Sequence, residues 1–369
     1  MKKVLGIMLF LTLTISYLAG CGGGSSSPTE APSSGAVAST QEADSAVPQP
    51  SGEADYSKLK LGHVTAPLGD RAQMDAIKLG LDRFVDESGC EYSMVESSNP
   101  EDLVQGARDF AQAGFDIVVI TQSIDALVAE FAPDYPDTQF LINFGTTGDV
   151  PNITSVEMLQ NQMAFLCGAF NALMNKELGG VERSAMVAAM RGSLDPAVHG
   201  FMAGAKWVGC EPTVVYTGDF NDPAKGKEVA LQLYNGGLRV VWGFAGQTGQ
   251  GVFSAADSMP EGYYCMGGAD GQFDLSERMI ASTIQDNSLA YYTFVWQIAR
   301  GELRGGFAEI SLLGGSCDFR VSPLHGYSEL VPQQIQDTIV ELKEMIINGE
   351  IAPPVNIEDY NKFVLDHNL

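Results

Sequence analysis

Residues 239–251 read RVVWGFAGQTGQG, an apolar run followed by a glycine-rich turn that opens a helical pattern over 250–258. A short, nearly continuous apolar strand feeding a helix is one βα unit, and its apolar character on both faces suits a parallel sheet covered on each side. The rhythm extends outward. Upstream lie SAMVAAM (184–190), a helix over 196–208, TVVYTG (213–218) and a helix over 222–235; downstream lie YYCMGG (263–268) and MIASTI (279–284).

An earlier series has the same form. It begins with LKLGHVT (59–65) and a helix over 70–87, in which Ile77, Leu81, Phe84 and Val85 recur at helical spacing. YSMVES (92–97) follows, then a helix over 100–113 opened by Asn99, Pro100 and acidic residues and closed before Gly114. DIVVITQS (116–123), a short helix over 124–131, TQFLINFG (138–145) and NITSVEM (152–158) continue it, and a helix over 159–176 precedes Gly179-Gly180. Two βα series of similar size predict an α/β protein of two doubly wound parallel-sheet lobes, at 58–178 and 179–285. After Ile284 come a helix over 287–300, strand EISLLGG (309–315), a strand near 318–321 and a last helix over 332–348. These are too few for a third domain. The tail is therefore expected to complete both lobes, 286–312 the first and 313–369 the second, and the crossings to form a multi-strand hinge.

The N-terminus has a different character. Lys2 and Lys3 precede an apolar run from Val4 to Ala19 that is shorter than the roughly 20 residues a spanning helix needs, so residues 1–20 read as a secretory signal. Leu18-Ala19-Gly20-Cys21 resembles the bacterial lipobox, which implies diacylglycerol on Cys21 and an anchor on the outer face of the cell membrane. Residues 21–57, rich in Gly, Ser, Pro, Ala and acidic side chains, are too poor in large apolar groups to repay ordering and read as a flexible tether.

The formal charge is −25, and loss of Lys2 and Lys3 with the signal takes it to −27. That excludes nucleic acid as a partner, because binding it requires Lys and Arg at phosphates. The acidity reads as a solvated surface on a soluble, monomeric domain. Cys90, Cys167, Cys210, Cys265 and Cys317 are odd in number and without CxxC spacing. Buried free thiols are expected, with one bridge left open.

Catalytic signatures are missing. Arg191-Gly192-Ser193-Leu194-Asp195 lacks the second glycine of a nucleophile elbow, and Ala224-Lys225-Gly226-Lys227 has Asn221 where a phosphate loop needs glycine and Glu228 where it needs a hydroxyl. Gly246–Gly251 opens a helix whose amides can meet a ligand oxygen, without the dinucleotide pattern. His63, His199, His325 and His367 share no metal-ligand spacing, so neither a metal nor a cofactor is expected.

An ordered series of stretches carries a resemblance: Gly114-Phe115-Asp116 before IVVI, Ala132-Pro133-Asp134-Tyr135-Pro136-Asp137 before QFLIN, and Asn152-Ile153-Thr154-Ser155. It continues through FLCGAFNALM, HGFMAGAKW, TGDFNDPAKGKEVA, AGQTGQGVFSAAD, GGADGQ and ASTIQDN to Asn348-Gly349-Glu350-Ile351 before Pro353. Nearly everything after the tether resembles the basic membrane protein family, the purine-nucleoside-binding lipoproteins that serve ABC importers. The resemblance implies a type I periplasmic-binding-protein fold, a ligand between the lobes, an ABC permease as partner and no catalysis. A membrane-tethered sensor, or a small-molecule enzyme using the same cleft, are the alternatives.

Open α/β sheets bind ligands beyond the carboxyl ends of their strands. The loops so placed are 66–74, 121–123, 143–146, 190–193, 244–248 and 268–272, and the candidate ligand-binding residues are Asp70, Gln73, Met74, Thr121, Gln122, Asn143, Phe144, Met190, Phe244, Gly246, Asp270 and Gln285. The resemblance implies a ribose-binding role for Asp270. It also implies a phenylalanine and an asparagine in the first loop and a lysine after the last second-lobe strand, where this chain has Gln73, Met74 and Gln285 behind Asp70 and Arg71. Phe144 and Phe244 offer other aromatic walls, whereas Trp242, inside a strand, reads as core.

Overall fold

The computed structural model describes residues 54–69, 73–192, 194–268 and 272–369. The signal, Cys21, most of the tether, Asp70, Arg71, Ser193 and Asp270 lie outside the described residues. The first series forms β1 (Lys60–Thr65), α1 (Gln73–Ser88), β2 (Glu91–Glu96), α2 (Pro100–Gln112), β3 (Ile117–Ile120), α3 (Asp125–Ala129), β4 (Gln139–Asn143) and β5 (Ile153–Met158). The second forms α4 (Gln160–Glu177), β6 (Arg183–Ala188), α5 (Asp195–Trp207), β7 (Glu211–Tyr216), α6 (Pro223–Asn235), β8 (Val240–Phe244), α7 (Gln247–Ser258), β9 (Tyr264–Gly267) and β10 (Met279–Gln285). The tail contributes α8 (Asn287–Ala299), β11 (Gly306–Ile310), β12 (Cys317–Val321), α9 (Tyr327–Leu330), α10 (Gln333–Ile347) and α11 (Ile357–His367).

Two six-stranded sheets result, ordered β11-β5-β4-β3-β1-β2 and β12-β10-β9-β8-β6-β7. The first is parallel throughout, and the second is parallel except for β12, which runs antiparallel to β10. Helices cover both faces of each, so four large apolar clusters form, two per sheet. This is the doubly wound α/β architecture expected from the rhythm of the chain. Strand order reverses between β1 and β3 and between β6 and β8, the positions where such sheets leave a crevice.

Local chemistry explains the element boundaries. Asn99 caps α2 by accepting from the Glu101 amide at 3.1 Å, and Asp222 caps α6 by accepting from Lys225 at 2.9 Å. Asn152, in the Asn-Ile-Thr-Ser stretch, donates to the carbonyls of Ala132, Tyr135 and Thr138 at 2.8, 3.0 and 3.0 Å, tying the APDYPD turn to the edge of β5. Helix α7 begins at Gln247, three residues before the expected start, because Gly246 at φ 57° turns the chain directly off β8.

Three sequence expectations need correction. The break at Gly179-Gly180 places the helix over 159–176 in the first lobe, yet α4 packs against the second sheet, with Phe165, Phe170 and Met174 in one cluster with Met186 and Trp242. Asn171 accepts from the Ala185 amide at 2.9 Å, and Asn175 accepts from the amides of Arg239 and Val240 at 2.6 and 2.9 Å. The glycines end a helix, and the lobe border falls at Leu159. Strand EISLLGG is displaced: β11 ends at Ile310, and residues 311–316 cross between sheets, with Leu312 in the second-sheet core. Finally, the chain ends in a further helix, α11, whose start is set by Asn356 accepting from the amides of Glu358 and Asp359.

Three segments join the lobes, at Leu159, at Asp286 and over 311–316. They bind one another: the Leu159 amide donates to Ile310 O at 3.0 Å, Asp286 N to Ser316 O at 2.8 Å and Leu312 N to Gln162 Oε1 at 3.0 Å. The hinge is thus a hydrogen-bonded set of three crossing segments. No helix among the described residues is long and apolar enough to cross a membrane.

Candidate functional site

A cavity of about 780 Å³ opens between the two sheets at the carboxyl ends of their strands, above the hinge. Gln73 and Leu79 of α1, with Phe144 beyond β4, form its first-lobe wall. Met158, Gln160, Gln285 and Asn287, all at the ends of elements that cross between lobes, form its floor. Phe220, Phe244, Gly246 and Gln272 form the second-lobe wall.

Five of the twelve residues singled out from the sequence line this space: Gln73, Phe144, Phe244, Gly246 and Gln285. Asp70 and Asp270 lie outside the described residues. The other five turn elsewhere. Met74 is buried in the first-lobe core with its Sδ 3.9 Å from Thr65 Oγ1, and Gln122 Nε2 lies 4.0 Å from the same sulfur. Thr121 is buried, donating to Thr65 Oγ1 at 3.1 Å and accepting from the Ala66 amide at 3.3 Å. Asn143 donates to Thr121 O at 3.2 Å, locking β4 to β3. Met190 is exposed but not part of the cavity lining. Thr121 and Asn143 therefore support the strand ends and do not line the cavity, because successive side chains of a strand point to opposite faces.

The two aromatic walls are built differently. Phe244 stacks on Trp242 at 4.8 Å and 26° between planes, and Trp242 stacks on Phe201 at 5.4 Å and 27°. Trp242 is fully buried and donates its indole N–H to Gly267 O at 2.9 Å, so the stack is fixed from below. Gly268 is glycine of necessity, since a Cβ there would stand 2.5 Å from the Phe244 ring. Gln272 Oε1 accepts from the Gly268 amide at 2.8 Å, which fixes its side chain beside the end of β9. Phe144 instead stands at φ 51° and is 44% exposed as a residue.

Most of the polar groups on the floor and walls are amides: Gln73, Gln160, Gln272, Gln285 and Asn287. Asp286 is occupied as the cap of α8, accepting from Leu289 N at 2.8 Å. The sequence reading missed Gln160, Asn287 and Phe220; the signal for the first two was their position at the first residue of a helix leaving a crossing segment. The five described cysteines are buried and unbridged, and burial pushes every one of their thiols up, those of Cys265 and Cys317 to about 12. Among the described residues no three metal-ligating side chains converge.

Comparison with known proteins identifies the family and the fold. Residues 63–356 match the Bmp family model, described as ABC transporter substrate-binding protein PnrA-like. The ABC transporter nucleoside-binding protein BmpA of Lactococcus lactis subsp. cremoris is 24% identical over 389 residues, an alignment covering 96% of this chain and 99% of that one. An uncharacterized lipoprotein of Pyrococcus horikoshii is 27% identical over 80% of this chain and 84% of its own length. In structure, an ABC transporter system solute-binding protein from Aeropyrum pernix superimposes with a TM-score of 0.66 at 22% identity, covering 84% of this chain and 97% of that one, which establishes the type I periplasmic-binding-protein fold. With the family match spanning most of the chain, this protein belongs to the Bmp family of PnrA-like ABC transporter substrate-binding proteins, a family of solute receptors and not of enzymes.

Proposed function

We propose that this chain is a lipid-anchored receptor on the outer face of the cell membrane, handing a purine nucleoside to an ABC permease. The observation that carries the ligand class is the cavity lining. Phe144 and Phe244 offer flat apolar faces from opposite lobes, and Gln73, Gln160, Gln272 and Gln285 offer amide donors and acceptors between them. Such a site suits an uncharged, planar, heteroatom-rich base. Asp270, in the GGADG stretch, is the proposed acceptor for the sugar diol. The relative named as nucleoside-binding supports the same reading.

Calorimetric titration with inosine, adenosine and guanosine, each beside ribose and a free amino acid, tests the assignment. One nucleoside should bind saturably and, at a hundredfold excess over its Kd, stabilise the protein by about 2.7 kcal/mol. A shift with ribose or the amino acid and none with any nucleoside sinks it.

The anchor is tested separately. Cys21→Ala should move the protein from the membrane fraction to the soluble one; retention of the variant at wild-type levels refutes anchoring through Cys21.

A further inference from the structure

Phe144 occupies the left-handed backbone region, unfavourable for a residue with a Cβ, and turns its ring into the cleft. Such a geometry persists only where its surroundings over-determine it. Here they do so from both sides. The Phe144 amide donates to Val156 O at 3.0 Å, and its carbonyl accepts from Ser123 Oγ at 2.9 Å. Two residues on, one carboxylate oxygen gathers four donors: Asp125 Oδ2 accepts from Thr146 N and Oγ1 at 2.8 and 3.1 Å and from Thr147 N and Oγ1 at 2.9 and 2.6 Å. Ser155 Oγ then closes the turn on Thr147 O at 2.7 Å.

Asp125 is only 3% exposed. Burial pushes its carboxyl up, but the bonds from Thr147 and Thr146 overcome that and hold it below the ordinary carboxylate range. A buried anion satisfied by backbone and hydroxyl donors is a strong fastening, because charged hydrogen bonds exceed neutral ones. It fastens the turn that carries an aromatic ring left open to the cavity.

We infer that Asp125 is a positioning residue of the ligand site: its carboxylate clamps Thr146 and Thr147 and thereby keeps Phe144 in the left-handed geometry that presents its ring to the ligand. The inference rests on the reading of Phe144 as a ligand wall. It assigns a binding role to a residue that never touches the cavity.

The test combines Asp125→Asn, Phe144→Ala and the double variant, read by amide hydrogen exchange over 144–147 and by titration with inosine, adenosine and guanosine. Exchange in Asp125→Asn should rise at least tenfold, on the order of a lost local clamp, while the remaining first-lobe strands stay protected. Nucleoside affinity should fall about tenfold, and the double variant should bind no more weakly than Phe144→Ala alone, because the clamp acts through that ring. If Asp125→Asn fails to fold, Thr147→Val removes the 2.6 Å bond and carries the same expectations. Unchanged exchange overturns the clamp, as does unchanged affinity or full additivity in the double variant. Raised exchange in a protein whose wild type binds none of the three nucleosides supports the clamp and overturns the nucleoside reading instead.

Discussion

Phe144 and Phe244 face the same cavity from opposite lobes, and the two lobes hold their rings by unlike means. In the second lobe the ring is set by packing: Phe244 is the last of three stacked rings, whose middle member is buried and hydrogen-bonded. In the first lobe it is set by the backbone: Phe144 has no stacking partner among the described residues and is held at φ 51° by bonds on both sides of it. A ring fixed by packing draws on the stability of the whole core, whereas one fixed by a pinned turn leaves the core nearly untouched. The second wall should therefore fail together with the fold, and the first independently of it.

The largest expected effect is at the base of the stack. Trp242→Ala should cost about 3–5 kcal/mol of stability, as removal of a fully buried aromatic does, and should weaken ligand binding through the loss of Phe244's platform. Urea unfolding measures the first, and calorimetry on the variant below its transition the second. A loss under about 1 kcal/mol would show that the stack is no support.

Next is the response to acid, which sets the first lobe apart. His63, buried on β1 with Nδ1 3.0 Å from the Tyr92 hydroxyl, is held down to about 3, by burial first and by the Lys78 charge second. In the unfolded chain it titrates near 6.5, so on acidification the unfolded state takes up a proton that the folded state refuses. Its contribution is intact above pH 6.5 and falls away as pH drops toward 3, by at most roughly 5 kcal/mol. Carboxylates held low, such as Asp125, lose stability only further down, so the window above pH 4.5 belongs to His63. Urea midpoints between pH 7 and pH 4.5 should fall in the wild type and stay nearly flat in His63→Gln. A parallel slope in both would assign the sensitivity elsewhere.

The smallest effect sharpens the contrast most. Phe144→Gly removes the ring and also the Cβ that makes φ 51° unfavourable, so stability should stay within about 1 kcal/mol of wild type while ligand affinity drops. A large fall in melting temperature would make Phe144 a core residue and dissolve the distinction between the walls.

The strands and helices were legible because apolar spacing differs between them: Val240 to Ala245 reads as a buried strand, and Ile77, Leu81 and Phe84 as one helical face. Lobe membership was not. Helix α4 buries residues around nearly its whole circumference, so its pattern names no partner, and only its packing under Trp242 and its asparagines on β6 and β8 assign it to the second sheet. The crossing at Leu159 carries no glycine or proline to mark it. At the cavity, loops beyond the strand ends contribute lining residues, yet Thr121 and Asn143 turn into the lobe while Phe144, the next residue, turns into the cleft. That choice depends on strand register and on a backbone kink that no local propensity encodes.

By itself, then, the sequence determined the class of fold, the succession of βα units and the strand ends beside which the cavity opens, since those follow from local periodicity and from a rule common to open parallel sheets. Only the tertiary structure decided which sheet each helix serves, where the chain crosses between lobes and which side chains reach the cavity. Those depend on contacts between residues far apart in the chain, such as Asn175 with Val240 or Asp125 with Thr147, whose energies do not exist until both partners have been brought together.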